Sequence, residues 1–343
     1  MAGNAPEVSV VTAVYNGERY LAEAIESILG QSFADWELVI VDDGSTDGSS
    51  RILAEYTAAD PRVVVHRQEN GGVAAASNRG LELARAPLVA RLDADDLSMP
   101  GRLEQQHRFL RDHPQVGMVG GQGAIIDRDG REVAEVRYPL DDAAIREQLE
   151  RTTGFVHSSV MIRKEVLDQV GGYRSEFDGA EDLDLWLRIA AHTQLAHLPE
   201  RVVSYRIHPD QASNKIELQA VRILAARESA RRREVGLEDS LSDFAPIDEA
   251  GLLSLGVSRR QVDEEVVESA VWLAKTADRA GYRDNARELF AVAWRRARAA
   301  ENRPMLTAKV RRAEQKRARE QGHMIRARLL GLAAAVAERR GSN

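Results

Sequence analysis

The chain has 343 residues, enough for about two domains at roughly 150 residues each. It contains no cysteine, which excludes disulfides, thiolate metal sites and thiol catalysis and fits a reducing compartment. With 43% hydrophobic and 29% charged residues it is globular rather than disordered, and a net charge of -7 argues against general nucleic-acid binding. No run reaches the ~18 apolar residues of a membrane-spanning helix. The segment Met1 to Glu7 lacks the basic start and apolar stretch of a secretory signal, so a cytoplasmic location is expected.

The first two hundred residues alternate strand and helix. Strands are predicted at Val8–Val14, Glu37–Val41, Arg62–His66 and Leu88–Leu92, with helices at Tyr20–Leu29, Ser49–Tyr56 and Val73–Ala84 between them. Short, nearly continuous apolar strands separated by helices imply a parallel sheet covered on both faces. Further on, Pro100–His113 and Asp182–Ala191 read as helices. Val116–Ile126, Glu132–Tyr138, Phe155–Arg163 and Arg201–Ile207 read as strands, with a turn at Asp127–Gly130. From about Ser213 the pattern is almost wholly helical: Glu217–Glu234 and Arg259–Ala280 are rich in Ala, Glu and Arg, with a loop around Asp243–Pro246. Ala270–Ala293 places Leu273, Ala277, Gly281, Ala286, Phe290 and Ala293 at the positions of one tetratricopeptide unit. A single copy has no neighbour to stack on, so a plain helical hairpin is expected. The predicted division is an α/β domain over 1–212 and an α-helical region over 213–343.

Polar clusters follow four of the strands directly: Tyr15-Asn16-Gly17-Glu18, Asp42-Asp43-Gly44-Ser45, Glu69-Asn70-Gly71-Gly72 and Asp93-Ala94-Asp95-Asp96. Ligands of open α/β sheets bind beyond the carboxyl ends of strands. In Asp93-Ala-Asp95 (a DXD motif) two carboxylates at i and i+2 can reach one hard cation, and a helix cap is the competing reading. Asp43 can accept hydrogen bonds from a nucleotide or simply end a turn. Gly71-Gly72 opens a helix whose N-terminus attracts phosphate. Glu181-Asp182 is either a pair of helix-start acids or a general base.

Taken in order, these segments resemble the family-2 glycosyltransferases of the GT-A fold: Val8-Ser-Val…Tyr15-Asn16, Val41-Asp-Asp-Gly-Ser-Thr-Asp47, Glu69-Asn-Gly-Gly72, Leu92-Asp-Ala-Asp-Asp96 and Glu181-Asp-Leu-Asp-Leu-Trp-Leu-Arg188. The resemblance covers about residues 6–212. It implies a Rossmann-like mixed sheet with helices on both faces and an inverting transfer from a nucleoside diphosphate sugar. A UDP-sugar is the donor that family frequency favours, and the transferred group is a hexosyl or N-acetylhexosaminyl unit. It implies a divalent cation, Mn²⁺ or Mg²⁺, and a glycan or lipid-linked acceptor in bacterial surface polysaccharide synthesis. Carried over by position, Val14, Tyr15, Glu18, Asp43, Asn70 and Asp93 would bind the donor nucleotide. Asp95, with His208, would bind the metal, and Asp182 would be the general base. His157, Glu181 and Trp186 would flank the acceptor, with variable loops at 126–153 and 173–180 shaping its pocket. The chain departs from the family pattern at Ala13-Val14, where Pro-Thr is common, and at Ala76-Ser77-Asn78, where Ala-Arg-Asn is common; Arg79 follows one place later. The rival from another class is a nucleotide-sugar-binding scaffold without turnover, which the joint presence of Asp93, Asp95 and Asp182 disfavours. A nucleotidyltransferase would need a basic phosphate-gripping loop, and Val11–Glu18 has no Lys or Arg.

Charge is unevenly spread. Residues 301–343 hold 11 Lys+Arg against 4 Asp+Glu. Lys309–Arg319 is strongly basic, and Ile325, Leu329, Leu332 and Val336 form a helical stripe flanked by Arg326, Arg328, Arg339 and Arg340. Such a tail is suited to peripheral contact with the inner face of the cytoplasmic membrane, or to packing on the protein itself.

Overall fold

The computed structural model describes residues 5–209, 211, 215–237, 239 and 247–320, and the statements below concern these. The chain forms two compact units, residues 1–256 and 257–343. The first unit opens with β1 (Val8–Val14), α1 (Leu21–Leu29), β2 (Trp36–Asp42), α2 (Ser49–Ala59), β3 (Val63–Arg67), α3 (Val73–Leu83) and β4 (Leu88–Arg91). β2 is buried at every position and β1 at all but one, as strands covered on both faces must be. These four strands are parallel, in the order β3-β2-β1-β4. Their carboxyl ends, and the polar loops that follow them, therefore share one rim.

The sheet then changes character. β5 (Leu97–Ser98), α4 (Arg102–Asp112), β6 (Val116–Ile126), β7 (Glu132–Val136), α5 (Asp142–Leu149), β8 (Met161–Arg163), α6 (Lys164–Val170), α7 (Glu181–Ala190) and β9 (Gln194–Arg206) complete it. Among the described residues nine strands form one mixed sheet, β3-β2-β1-β4-β8-β6-β9-β5, with β7 on β6. β8 runs antiparallel to β4 and β6, while β6 and β9 are parallel. Glycines let β6 and β9 approach closely. A Cβ at Gly120 would lie 2.6 Å from the His197 ring, and one at Gly121 would lie 2.7 Å from Val202.

Two predicted strands differ from the structure. Phe155–Arg163 divides into a 3-10 turn at His157–Ser159 and the short β8. The serines explain the division: the Ser159 N–H and Oγ–H both donate to the Val156 carbonyl, at 2.8 and 2.7 Å. Arg201–Ile207 is the second half of β9, whose first half, Gln194–Glu200, alternates too weakly to be read as a strand. α5 and α6 also escape the sequence pattern.

α8 (Ile216–Glu234) packs against α7, and α9 (Glu249–Ser254) closes the first unit. The second unit contains α10 (Arg259–Arg279), α11 (Arg283–Ala299) and a further helix over 303–320. Ser258 and Gln261 form a capping box that starts α10. α10 and α11 make a helical hairpin, turning at Gly281 with φ +86°. Leu273, Ala277, Ala286, Phe290 and Ala293 are all buried. Trp294 Nε1 donates to Glu314 at 2.9 Å, and Arg317 pairs with Asp278 at 2.8 Å, which fixes the third helix to the hairpin. The loop at 243–246 and the stripe from Ile325 to Val336 lie outside the described residues. No helix among the described residues is long and apolar enough to cross a membrane.

Candidate active site

The rim is assembled from its loops. After β1 the backbone turns at Asn16, whose φ of 53° lies in the left-handed region that Asn tolerates. The Asn16 side-chain oxygen accepts from the Thr46 N–H at 2.8 Å, and its own N–H donates to Ser45 Oγ at 3.0 Å. The Gly17 N–H reaches Ser49 Oγ at 2.9 Å, and the Glu18 carboxylate accepts from the Gly48 N–H at 2.6 Å. The first loop is thus strapped to the second. Val14 is only 2% exposed and its carbonyl accepts from the Asp43 N–H, so its side chain belongs to the core. Tyr15 stands 54% exposed on the rim. Glu18 is exposed as well, but its carboxylate is held by the neighbouring loop.

Asp43 is the hub of the next loop pair. Oδ1 accepts from Gln68 Nε2 at 2.8 Å and the Gly71 N–H at 2.9 Å, and Oδ2 accepts from the Gly72 N–H at 2.9 Å. Asn70 Nδ2 donates to the Asp43 carbonyl at 3.0 Å, so the two predicted donor residues are brought together. Oδ2 keeps room for one more donor. Three amides around the start of α3 are already taken: Gly71 and Gly72 by Asp43, and Ala74 by Asp178. A phosphate accepting from these three amides would have to displace the protein's own carboxylates. Arg79 points elsewhere, donating to His66 and Glu82.

Beyond β4 lie the acids of the DXD segment, and three buried arginines organise them. Arg91 donates from Nη2 to Asp93 at 3.0 Å, from Nη1 to the Val11 carbonyl at 2.8 Å and from Nε to His157 Nε2 at 3.2 Å. Arg206 donates from its backbone to Asp96 Oδ1 at 2.8 Å, from Nε to the Asp95 carbonyl at 2.8 Å and from Nη2 to Glu23 at 2.7 Å. Arg102 donates to the Arg91 and Val160 carbonyls, and burial lowers its guanidinium to about 9. Sequence reasoning missed all three. The available signal was a charged residue inside an apolar run, as in Leu88-Val-Ala-Arg91-Leu92 and Tyr205-Arg206-Ile207.

The three acids of this segment have unlike environments. Burial opposes ionisation of Asp93, but His157 and Arg91 outweigh it and hold the carboxyl well below the ordinary range. Its backbone N–H is taken by Ser158 Oγ at 2.9 Å. Asp96 is fully buried, and burial together with the charges of Asp95 and Asp93 pushes its carboxyl up. Asp95 is about a third exposed (34%) and lies 3.0 Å from His208 Nε2. Among the described residues no three acid or imidazole groups converge on one point. A divalent cation would draw on Asp95, His208 and the oxygens of a bound diphosphate, and that donor set suits Mg²⁺ or Mn²⁺.

Across from these acids stands the start of α7. Glu181 and Asp182 occupy its first turn, where the helix dipole favours anions. Asp182 Oδ1 accepts from the Leu183 N–H at 2.7 Å. Burial raises the carboxyls of both residues; for Glu181 the charge of Asp182 adds to this, bringing it to about 7, while His157 opposes both shifts. His157 sits between the two groups of acids. Its Nδ1 is 3.3 Å from Asp93, and its Nε2 is 2.8 Å from the Tyr173 hydroxyl. Trp186 is fully buried with its ring 5.9 Å from that of His157, so it supports the site from the core and presents no face to an acceptor. Asp184, also buried, is clamped by Arg174 and Arg188, which fixes the helix.

Asn78 exchanges two hydrogen bonds with the Tyr173 backbone, both at 2.8 Å, holding a segment 95 residues away. Asn78→Ala leaves both groups unpaired and is expected to cost about 3 kcal/mol in urea unfolding. Glu181 carries a raised folded-state pKa, so it opposes folding only above the unfolded carboxyl range, and fully so above about 7. Glu181→Gln is expected to stabilise the protein by about 2 kcal/mol at pH 8 and not at pH 4, read as the difference in unfolding midpoint.

Residues 9–171 match the model of glycosyl transferase family 2. WbnJ of Escherichia coli, an O-antigen biosynthesis glycosyltransferase, is 33% identical over 205 residues, 59% of this chain and 80% of WbnJ. This chain belongs to glycosyl transferase family 2. EpsE of Bacillus subtilis is 40% identical over 187 residues, 53% of this chain; the match spans 66% of EpsE, just under two thirds of its length. The fold is GT-A, shared with two solved structures. The mannosyltransferase PcManGT of Pyrobaculum calidifontis, in complex with GDP-Man and Mn²⁺, superposes with a TM-score of 0.54 at 20% identity, covering 92% of this chain and 87% of that one. TarS 1–349 of S. aureus, in complex with UDP, gives 0.52 at 19%, covering 91% and 88%.

Proposed function

We propose that this transferase moves a sugar, hexosyl or N-acetylhexosaminyl, from a nucleoside diphosphate donor to a hydroxyl of a glycan or lipid-linked acceptor, with inversion, in building a bacterial surface polysaccharide. The observation that carries the reading is the opposition of two unlike acid groups across His157. Asp93 is held ionised by Arg91 and His157, whereas the Glu181-Asp182 pair has raised proton affinity. The first arrangement suits charge fixed on a donor's diphosphate, and the second suits removal of a proton from an incoming hydroxyl.

In this reading Tyr15, Glu18, Asp43 and Asn70 surround the nucleoside, with Val14 shaping the pocket floor through its backbone, and Asp93 orients the ribose or diphosphate. Asp95 and His208 would hold Mn²⁺ or Mg²⁺, which when bound neutralises charge on the leaving diphosphate. Asp182 takes the acceptor proton as the acceptor oxygen attacks the anomeric carbon from the face opposite the leaving group. Glu181 and His157 border the acceptor. A UDP-sugar is the favoured donor, and the UDP complex of TarS supports it beside the GDP-Man complex of PcManGT. The biosynthetic role of WbnJ supports a polysaccharide product. A cytoplasmic site of action, where nucleotide sugars are made, follows from this chemistry. The test is the anomeric proton coupling of the glycoside product by NMR. An α-linked donor is expected to give a β-linked product, and retained configuration would sink the single-displacement reading.

A further inference from the structure

The second unit is oppositely charged to the rest of the chain. Residues 257–343 hold 20 Lys+Arg and 11 Asp+Glu, a net +9, leaving -16 on the remainder. The described part concentrates this charge on one face. Along α10, Glu268, Trp272, Lys275 and Arg279 recur at i, i+4, i+7 and i+11. Along the 303–320 helix, Met305, Lys309, Arg312 and Lys316 recur at the same spacing. The two stripes are neighbours: Lys309 pairs with Glu268, and Lys275 lies within the fields of Lys316, Arg279 and Lys309. Burial and these like charges lower the Lys275 ammonium, and Glu320 offsets only part of the effect. Trp272 is 52% exposed and Met305 49% exposed among these cations.

We infer that this face, built by Trp272, Lys275 and Arg279 of α10 with Met305, Lys309, Arg312 and Lys316 of the following helix, docks on an anionic phospholipid bilayer. Cations spread over two adjacent helices match an extended sheet of phosphate headgroups, which attract each Lys or Arg near the surface. An exposed indole between cations suits the headgroup level, where its ring is apolar and its N–H is wet. Nucleic acid would also meet the charge, but the sequence that follows favours lipid. Beyond Glu320 the chain carries Ile325, Leu329, Leu332 and Val336 at helical spacing between arginines. The surplus of -16 elsewhere is repelled by the same surface, so the second unit is the part that is attracted.

The test uses the full chain with vesicles of phosphatidylglycerol or of phosphatidylcholine, followed by co-sedimentation and tryptophan emission. Binding to phosphatidylglycerol vesicles alone is expected, with a blue shift that Trp272→Phe abolishes and a loss of binding in about 0.5 M salt. The triple variant Lys275→Gln, Lys309→Gln, Lys316→Gln is expected to bind about 100-fold more weakly, and Trp272→Ala about tenfold more weakly. Both should release nucleotide from donor in solution at the wild-type rate, which separates this proposal from the catalytic one. Equal binding to both vesicles, undiminished binding of the triple variant, or a shift that persists in Trp272→Phe would overturn it. So would tighter binding to a single-stranded oligonucleotide than to phosphatidylglycerol.

Discussion

Asp182→Asn is expected to lower kcat for sugar transfer about 10³-fold while leaving the donor KM within a factor of about three. The substitution keeps shape and one side-chain oxygen, so the acceptor of the Leu183 N–H is retained at the start of α7. What is lost is the group proposed to take the proton. The wild-type rate should rise with pH above the ordinary carboxylate range and then level, because the base must be deprotonated and burial raises the carboxyls of Asp182 and Glu181. Steady-state nucleotide release at several pH values reads both effects. A variant that keeps more than a third of the wild-type rate would remove Asp182 from the chemistry.

Asp95→Ala is expected to act on the donor side, with kcat/KM falling about 10²- to 10³-fold and the response to added Mn²⁺ or Mg²⁺ disappearing. Asp95 is the acid of its cluster that is both accessible and uncommitted to an arginine side chain: Asp93 is paired with Arg91, and Asp96 is buried. Its backbone carbonyl, which anchors Arg206, survives the change, so the loop should hold. His208→Ala, removing the neighbour 3.0 Å away, should have a smaller effect in the same direction. Calorimetric titration of donor with and without cation separates loss of binding from loss of turnover. Full cation dependence in Asp95→Ala would contradict the assignment.

These expectations rest on positions that sequence and structure make legible to different degrees. β1, β2 and β4 are plain in the sequence because a strand buried on both faces has no polar alternation to confuse it, and the edge strand β3, only partly buried, is plain from its run of valines. Each is followed at once by a polar loop, which is what a binding rim requires. The region around His157 is less legible, since Ser158 and Ser159 spend their hydroxyls on local and loop hydrogen bonds that no hydrophobic pattern reveals. Trp186 shows the limit of residue type as a guide. Carried over by position it would flank the acceptor, but the helical period turns it inward while Asp182 stays at the helix start. Val14 is similarly claimed by the core. Arg91 and Arg206 act through partners 66 and 183 residues away, and Tyr173 is held by Asn78, 95 residues away, so their roles emerge only once the sheet is assembled. α8 reads by composition as part of a helical tail, yet it packs with the sheet unit through α7, where Arg174 joins Asp184 to Ser229.

The most direct test of the account is release of nucleoside diphosphate by purified protein from a panel of UDP-, GDP- and dTDP-sugars, with Mn²⁺ or Mg²⁺ and with EDTA. The account predicts turnover of one donor that EDTA abolishes and that Asp95→Ala and Asp182→Asn both lack. Release that persists in EDTA, or that both variants keep, would contradict it.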